Sequence, residues 1–231
     1  MIYRKYWIPE LATLVTLAFV ATVPFWLSPI DLIVADWFYQ LVDSDKAWAL
    51  SDYWLWRFLF LLAPWLAAGV GLIGVTFLLL GVRRRQDKQL RVYGVYLLLS
   101  VIVGPGLIVN AIFKDHWDRP RPRDIQVFGG TEHYTPPLAI GAKGNSFPCG
   151  HCSVAFVLGS FYLVWRRRFP NRAYIVLAAS IILGLVMGVA RMAAGGHFLS
   201  DIIWSAILTW SALLFLYWIV LRIPWREDAT R

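Results

Sequence analysis

The segment ARMAAGGHFLSD, residues 190–201, places His197 four residues before Asp201. If a helix starts near His197, that spacing sets imidazole and carboxylate on one face. A carboxylate bound to one ring nitrogen fixes the tautomer and makes the other nitrogen a better nucleophile or base. A helix-capping aspartate beside an interfacial histidine would read the same way. A second histidine lies in NSFPCGHCSVAF, residues 145–156, where Ser146 or Asn145, Pro148 and Gly150 precede a long apolar run. Gly150 and His151 are therefore expected at a helix N-terminus, where free N–H groups and the helix dipole favour an anion. His151 would there be placed to give a proton to a leaving oxygen. A third segment, KDHWDRPRPRD, gathers Lys114, Arg119, Arg121 and Arg123 within residues 114–124, interleaved with Pro120 and Pro122. Proline fixes φ and stops a helix, so a stiff arm presenting guanidinium groups is expected. Arginine forks match phosphate or carboxylate oxygens, and lysine adds a point charge. A solvated basic loop, or a site for anionic headgroups, would look alike.

Cys149 and Cys152 enclose Gly150 and His151 and are the two cysteines of the chain. A redox dithiol with this spacing belongs in a thioredoxin-like βαβ unit, and no such unit is legible here. Zinc held by Cys149, His151, Cys152 and His197 is conceivable by ligand type. It would consume both histidines and leave three cations beside the metal, a poor arrangement. No metal and no other cofactor is expected. A disulfide stays open, because residues three apart are helix neighbours.

These segments must be held by a 231-residue chain that is 59% hydrophobic and 16% charged, with 13 Trp and a mean hydropathy of +0.59. A soluble domain carries roughly 25% charged residues. Six segments approach the roughly 20 apolar residues of a transmembrane helix: residues 11–27, 59–82, 92–113, 152–165, 173–190 and 202–221. The fourth is short and borrows a turn from the motif before it. Arg4 and Lys5 before the first run resemble the start of a signal peptide, but Trp26 and Pro29 stand where a small-residue cleavage site would fall, so a retained anchor is expected. The expected architecture is all-α, a polytopic membrane protein with one domain over residues 1–231 and six transmembrane helices.

Orientation follows from the basic residues. Arg4, Lys5, Arg83, Arg84, Arg85, Lys88, Arg91, Arg166, Arg167, Arg168, Arg172, Arg222, Arg226 and Arg231 make up most of the 22 Lys and Arg, and six spans put them on one side. That side is expected to be cytoplasmic, with both termini on it. The net charge of +8 thus reads as topology rather than nucleic-acid binding, and no nucleic-acid partner is expected. The first loop of the other side carries Asp31, Asp36, Asp43, Asp45 and Asp52 against Lys46 and Arg57, with Trp37, Trp48, Trp54 and Trp56 suited to an interfacial belt. The next two loops on that side break the charge bias. They bring Lys114, Arg121, Arg191, His151, His197 and Asp201 to one membrane face. Packing does not explain two histidines and three cations there; a site that handles an anion does.

The three segments resemble the signature of the type 2 phosphatidic acid phosphatase (PAP2) superfamily. Its K-x6-R-P part is matched by Lys114, Arg121 and Pro122, and its P-S-G-H part by Pro148, Cys149, Gly150 and His151. Its S-R-x5-H-x3-D part is matched by Ala190, Arg191, His197 and Asp201. The resemblance implies a metal-independent phosphatase working through a phosphohistidine. Position by position, His197 corresponds to the nucleophile, Asp201 to the group that orients it, and His151 to the acid that protonates the leaving group. Lys114, Arg121 and Arg191 correspond to the phosphate cradle, with Gly150 and the backbone at Cys149 adding N–H donors. Two positions depart from the signature. Cys149 replaces a serine whose hydroxyl often serves the phosphate, and a thiol is a weak donor; Ala190 replaces a second serine. Neither change touches nucleophile, acid or cations.

Motifs at a membrane face that lipids approach laterally imply a lipid phosphate or diphosphate substrate on the outer, periplasmic side of a bacterial inner membrane. The string FKDHWDRPRPRDIQVFGG, residues 113–130, is similar to bacterial members acting on lipid A or related envelope lipids. Undecaprenyl diphosphate, phosphatidylglycerol phosphate and phosphatidic acid remain open, as does transfer of the phosphoryl group to another lipid. A different class, an anion transporter, would need charged or broken helices near the bilayer midplane, and the six segments carry almost no such charge.

Overall fold

The computed structural model describes residues 4–40, 48–84 and 87–229. Asp43, Asp45, Lys46, Arg85 and Arg231, which entered the charge reading, lie outside the described residues. The described chain is helical: α1 (Arg4–Val20), α2 (Val23–Leu27), α3 (Ile30–Gln40), α4 (Trp54–Arg83), α5 (Lys88–Val101), α6 (Gly150–Phe156), α7 (Gly159–Trp165), α8 (Pro170–Ala193), α9 (Leu199–Phe215) and α10 (Ile223–Asp228). A π-helical stretch over Ile102–Lys114 continues α5, and another over Leu216–Val220 continues α9. Local chemistry sets several of these ends. The Leu90 N–H donates to Asp87 Oδ1 at 2.9 Å and caps α5. Pro170 opens α8 at a position where its missing N–H costs nothing.

Five helical segments are long and apolar enough to cross a membrane: Trp7–Leu27, Trp54–Arg83, Lys88–Lys114, Pro170–Ala193 and Leu199–Val220. Their outer faces expose large apolar side chains such as Leu11, Phe19, Trp65, Leu72, Ile175 and Ile182. Water would penalise that surface; lipid covers it at no cost. The expected fourth segment is a shorter apolar helical stretch, Gly150–Trp165, formed by α6 and α7 in succession. It is the most enclosed part of the bundle. Cys152, Ala155, Val157 and Leu163 have no solvent exposure, because α6 lies against α4, α8, α9 and the π-helical stretch, and α7 against α5, α8 and α9.

Close approach of α4 and α5 depends on glycine. A Cβ on Gly94 would stand 2.6 Å from the Leu78 nitrogen and 2.7 Å from the Gly74 carbonyl oxygen, so a larger residue would drive the two helices apart. At one end of the bundle the chain is tied by polar contacts. Tyr93 Oη donates to Glu227 Oε1 at 2.5 Å, Arg167 Nη1 to Glu227 Oε2 at 2.9 Å, and Trp218 Nε1 to Glu10 Oε2 at 2.6 Å, where Arg166 also pairs with Glu10. The loops after Lys114 and Ala193 emerge at the other end. One tryptophan departs from the expected interfacial belt. Trp48 is 6% exposed and packs edge-on against Tyr39 and Phe128, under the long loop that contains the basic arm. Trp37 and Trp54 are exposed as a belt requires.

Candidate active site

His197 does not begin the last long helix. That helix, α9, starts at Leu199, and the Phe198 N–H donates to Asp201 Oδ2 at 2.8 Å. Asp201 therefore caps α9, and it faces His197 from across the cap: Nδ1 of His197 lies 3.6 Å from Asp201 Oδ2. That is an ion-pair distance but longer than a hydrogen bond, and Nδ1 is buried with no hydrogen-bond partner. The capping reading of Asp201 is thus realised, and the carboxylate also lies within ion-pair distance of the ring. The imidazole is 2% exposed, and burial pushes its pKa down to about 4, with Asp201 partly offsetting the effect. His197 is thus a neutral imidazole near neutral pH.

Gly150 opens α6 as expected, and its lack of a side chain matters. A Cβ there would stand 2.6 Å from Asn110 Oδ1 and 3.4 Å from Lys114 Nζ. The π-helical stretch thereby delivers Lys114 directly over the start of α6, beside His151. The His151 ring stacks on Phe60 of α4, with centroids 4.3 Å apart, and the Arg191 guanidinium lies 5.4 Å from the same Phe60 ring. His151 feels the charges of Arg191, His197 and Lys114. Lys114 feels those of Arg121, Arg191 and Asp201. His197, His151, Lys114, Arg121, Arg191 and Asp201 are therefore brought together by three separate segments. Arg121 is partly buried, and its pKa is lowered, by burial first and then by Arg123; its guanidinium also binds Asn145 Oδ1. Gly195, with φ +60°, turns the chain between α8 and α9, and its carbonyl accepts from the Arg123 N–H at 3.2 Å.

Cys149 sits beside this cluster with its groups engaged. It is bonded to Cys152 in a disulfide, its N–H donates to the Asp201 carbonyl oxygen at 3.2 Å, and it is fully buried. It supplies no thiol and no spare N–H to an anion. The sulfurs a zinc site would need are bonded to each other, and among the described residues no three His, Cys, Asp or Glu side chains converge to hold a metal. Ala190 is buried among Met187, Met192 and Ile202.

Sequence reasoning missed four contributors. Arg119, expected to present its guanidinium from the arm, is instead buried with no exposure between Asp31 and Asp201. Asp31, read as one of several acids in an outer loop, is its buried partner from the first turn of α3. Ser146 Oγ donates to Asp201 Oδ2 at 2.5 Å. Phe60 lies in an apolar run where nothing distinguishes it from residues that face lipid.

Residues 89–225 match the model of the PAP2 superfamily. The chain is 34% identical over 135 residues to a lipid A 4'-phosphatase of Francisella tularensis subsp. novicida (strain U112), covering 57% of this chain and 58% of that protein. It is 33% identical over 123 residues to a lipid A 4'-phosphatase of Rhizobium leguminosarum, covering 51% and 52%. It therefore spans about half the length of the curated relatives it matches. A transmembrane PAP2-type phosphatidylglycerolphosphate phosphatase from Bacillus subtilis, solved by crystallography, superposes with a TM-score of 0.51 at 18% identity, covering 97% of this chain and 96% of that one. At that identity the likeness is one of fold.

Proposed function

The chain belongs to the PAP2 superfamily, and from that premise we propose that it is a membrane lipid phosphatase acting through a phosphohistidine. The observation that carries this reading is the convergence of two histidines and three cations on one end of the bundle, with a carboxylate behind one of the histidines. In the reaction, the free nitrogen of His197 attacks phosphorus and forms an N–P bond. The bond from phosphorus to the lipid oxygen breaks, and His151, protonated while the negative charge of the bound phosphate offsets its burial and its cationic neighbours, supplies the proton that the leaving oxygen takes. Water then attacks the phosphohistidine, His151 accepts its proton, and inorganic phosphate leaves with His197 restored. Lys114, Arg121 and Arg191 hold the phosphoryl oxygens and stabilise the charge spread over them in the transition state. Asp201 stabilises the positive charge that develops on the His197 ring.

The proposed substrate is a phosphate monoester on lipid A or a related envelope lipid, in keeping with the names of the relatives. The charge bias supports a site on the periplasmic face of the inner membrane, with the termini in the cytoplasm. Phosphate release from a panel of purified lipid phosphates tests the reading: lipid A, undecaprenyl diphosphate, phosphatidylglycerol phosphate and phosphatidic acid. His197→Ala is expected to lower turnover at least about 10³-fold while the protein stays folded. Acid-labile, alkali-stable phosphate on the wild-type protein marks the intermediate. Retained turnover in His197→Ala would remove the nucleophile assignment. Mass spectrometry of the lipids separates hydrolysis from transfer, since transfer leaves a newly phosphorylated lipid.

A further inference from the structure

Charge behind His197 does not end at Asp201. Arg119 is fully buried, and all three nitrogens of its guanidinium donate within the protein. Nη1 donates to Asp201 Oδ1 and to Ser200 Oγ at 2.9 Å, Nη2 to Asp31 Oδ2 at 2.8 Å, and Nε to the Thr135 carbonyl oxygen at 2.8 Å. The Phe198 and Tyr134 rings lie 4.7 Å and 5.7 Å from its Cζ. Asp31 is held as fully. Its Oδ1 accepts from the Ser200 N–H at 3.0 Å, and its Oδ2 also accepts from Ser200 Oγ at 2.5 Å and Tyr134 Oη at 3.2 Å. Four of the five N–H groups of Arg119 are thus engaged inside the protein, and its side chain has no solvent exposure.

We infer that Asp31, Arg119 and Asp201 form a buried positioning relay, in which Arg119 holds the orienting carboxylate of the nucleophile in place and in its ionised form. The inference rests on the phosphohistidine reading of His197. Two carboxylates and one guanidinium leave the buried cluster with one unmatched negative charge, on the side that faces His197. That charge meets the positive charge that forms on the imidazole when its other nitrogen bonds to phosphorus. Arg119 fixes Oδ1 of Asp201, while Ser146 and the Phe198 N–H fix Oδ2 at 3.6 Å from His197 Nδ1. Without Arg119, Asp31 and Asp201 would share a dry pocket as like charges, and one would take up a proton. Arg119 itself stays charged: burial opposes this, and the two carboxylates outweigh burial and raise its pKa. The other charged and titratable groups around Asp201 are His197, and Lys114 and Arg191 on the substrate side; Tyr134 stands on Asp31.

The test uses the purified full chain, with lipid A and para-nitrophenyl phosphate as probes and phosphate release as the readout. In Arg119→Met, kcat is expected to fall about 100-fold, the size of effect that misplacing a catalytic group produces, with KM nearly unchanged. The acidic limb of its pH profile is expected to move up by about one unit or more. Adding Asp31→Asn to Arg119→Met is expected to move that limb back, since it removes the competing carboxylate. Arg119→Lys keeps the charge but not the fork, so the limb should stay near wild type while kcat falls; this variant decides the matter if Arg119→Met does not fold. Wild-type kcat and limb in both Arg119 variants, or a loss expressed in KM alone, would overturn the relay. His197→Ala distinguishes this from failure of the underlying reading: if that variant turns over, the phosphohistidine goes and the relay with it. If His197→Ala is inactive while the Arg119 variants behave as wild type, the relay alone is wrong.

Discussion

His197 is almost sealed from solvent, and that burial governs its proton. Its value of about 4 in the fold lies below the ordinary 6.5, so the ring is neutral through the range in which a nucleophile has to work. The sign also bears on stability. Between about pH 4 and 6.5 the unfolded chain binds a proton on this residue that the folded chain refuses, so stability contributed by His197 is present above that window and is lost as pH falls through it. Nitrogen-15 NMR of histidine-labelled protein should show the His197 ring, assigned by its disappearance in His197→Gln, titrating near 4. A midpoint near 6.5 would show that the ring is hydrated and not held as described. At this scale the residues that the fold gathers at one end were legible in the sequence. His197, Asp201, His151, Lys114, Arg121 and Arg191 are polar residues in segments that interrupt apolar helices, where a charge needs a reason. Arg119 and Asp31 were not. One lies two residues from Arg121 in an arm with three other Lys and Arg, and the other among several aspartates, and local composition cannot tell a buried partner from a solvated neighbour. Only the tertiary pairing over 88 positions separates them.

Among the elements, the short α6 bears the most constraint, because it must hold His151 within reach of two other segments. Three features fix it: the absent side chain at Gly150, the fully buried packing of Cys152, Ala155 and Phe156, and the Cys149–Cys152 crosslink over its first turn. Spacing allowed that crosslink without requiring it, since the same pattern serves redox, metal and plain structural ends. Both cysteines are fully buried in an apolar cluster, so the crosslink is expected to act on stability rather than chemistry. The chain-entropy account gives about 2 kcal/mol for so small a loop. Cys149→Ser with Cys152→Ser is therefore expected to lower the thermal midpoint while kcat/KM stays within about tenfold of wild type, a difference of roughly 1.4 kcal/mol. A larger loss of turnover in a folded double variant would give the sulfurs a part in catalysis. Helix boundaries were legible to within a few residues wherever the apolar run was long. The exception is the start of α9, where Asp201 caps the chain and pushes His197 out of the helix.

Over the whole molecule, the two ends of the bundle are chemically unlike, and the difference underlies the proposed orientation. One end carries Arg83, Arg84, Arg166, Arg167, Arg168 and Arg172, tied by Glu10 and Glu227 to α1 and α10. The other carries the site, roofed by the long loop from residue 115 to 149. Basic residues are retained on the cytoplasmic side during insertion, so the proposed orientation has the first end inside and the site outside. The cations of the site do not contradict the rule, because in the proposed function Lys114, Arg121 and Arg191 are matched by the charge of one bound phosphate rather than displayed as a loop charge. Single cysteines placed in the cysteine-free double variant test this directly. Thr131→Cys, exposed in the roof loop, should react with a membrane-impermeant maleimide added to intact spheroplasts. Lys88→Cys, exposed at the start of α5, should react only after the membrane is opened. The opposite pattern would place the site in the cytoplasm, where the lipid A of the outer leaflet is out of reach, and would move the proposed substrate to a lipid phosphate of the inner leaflet.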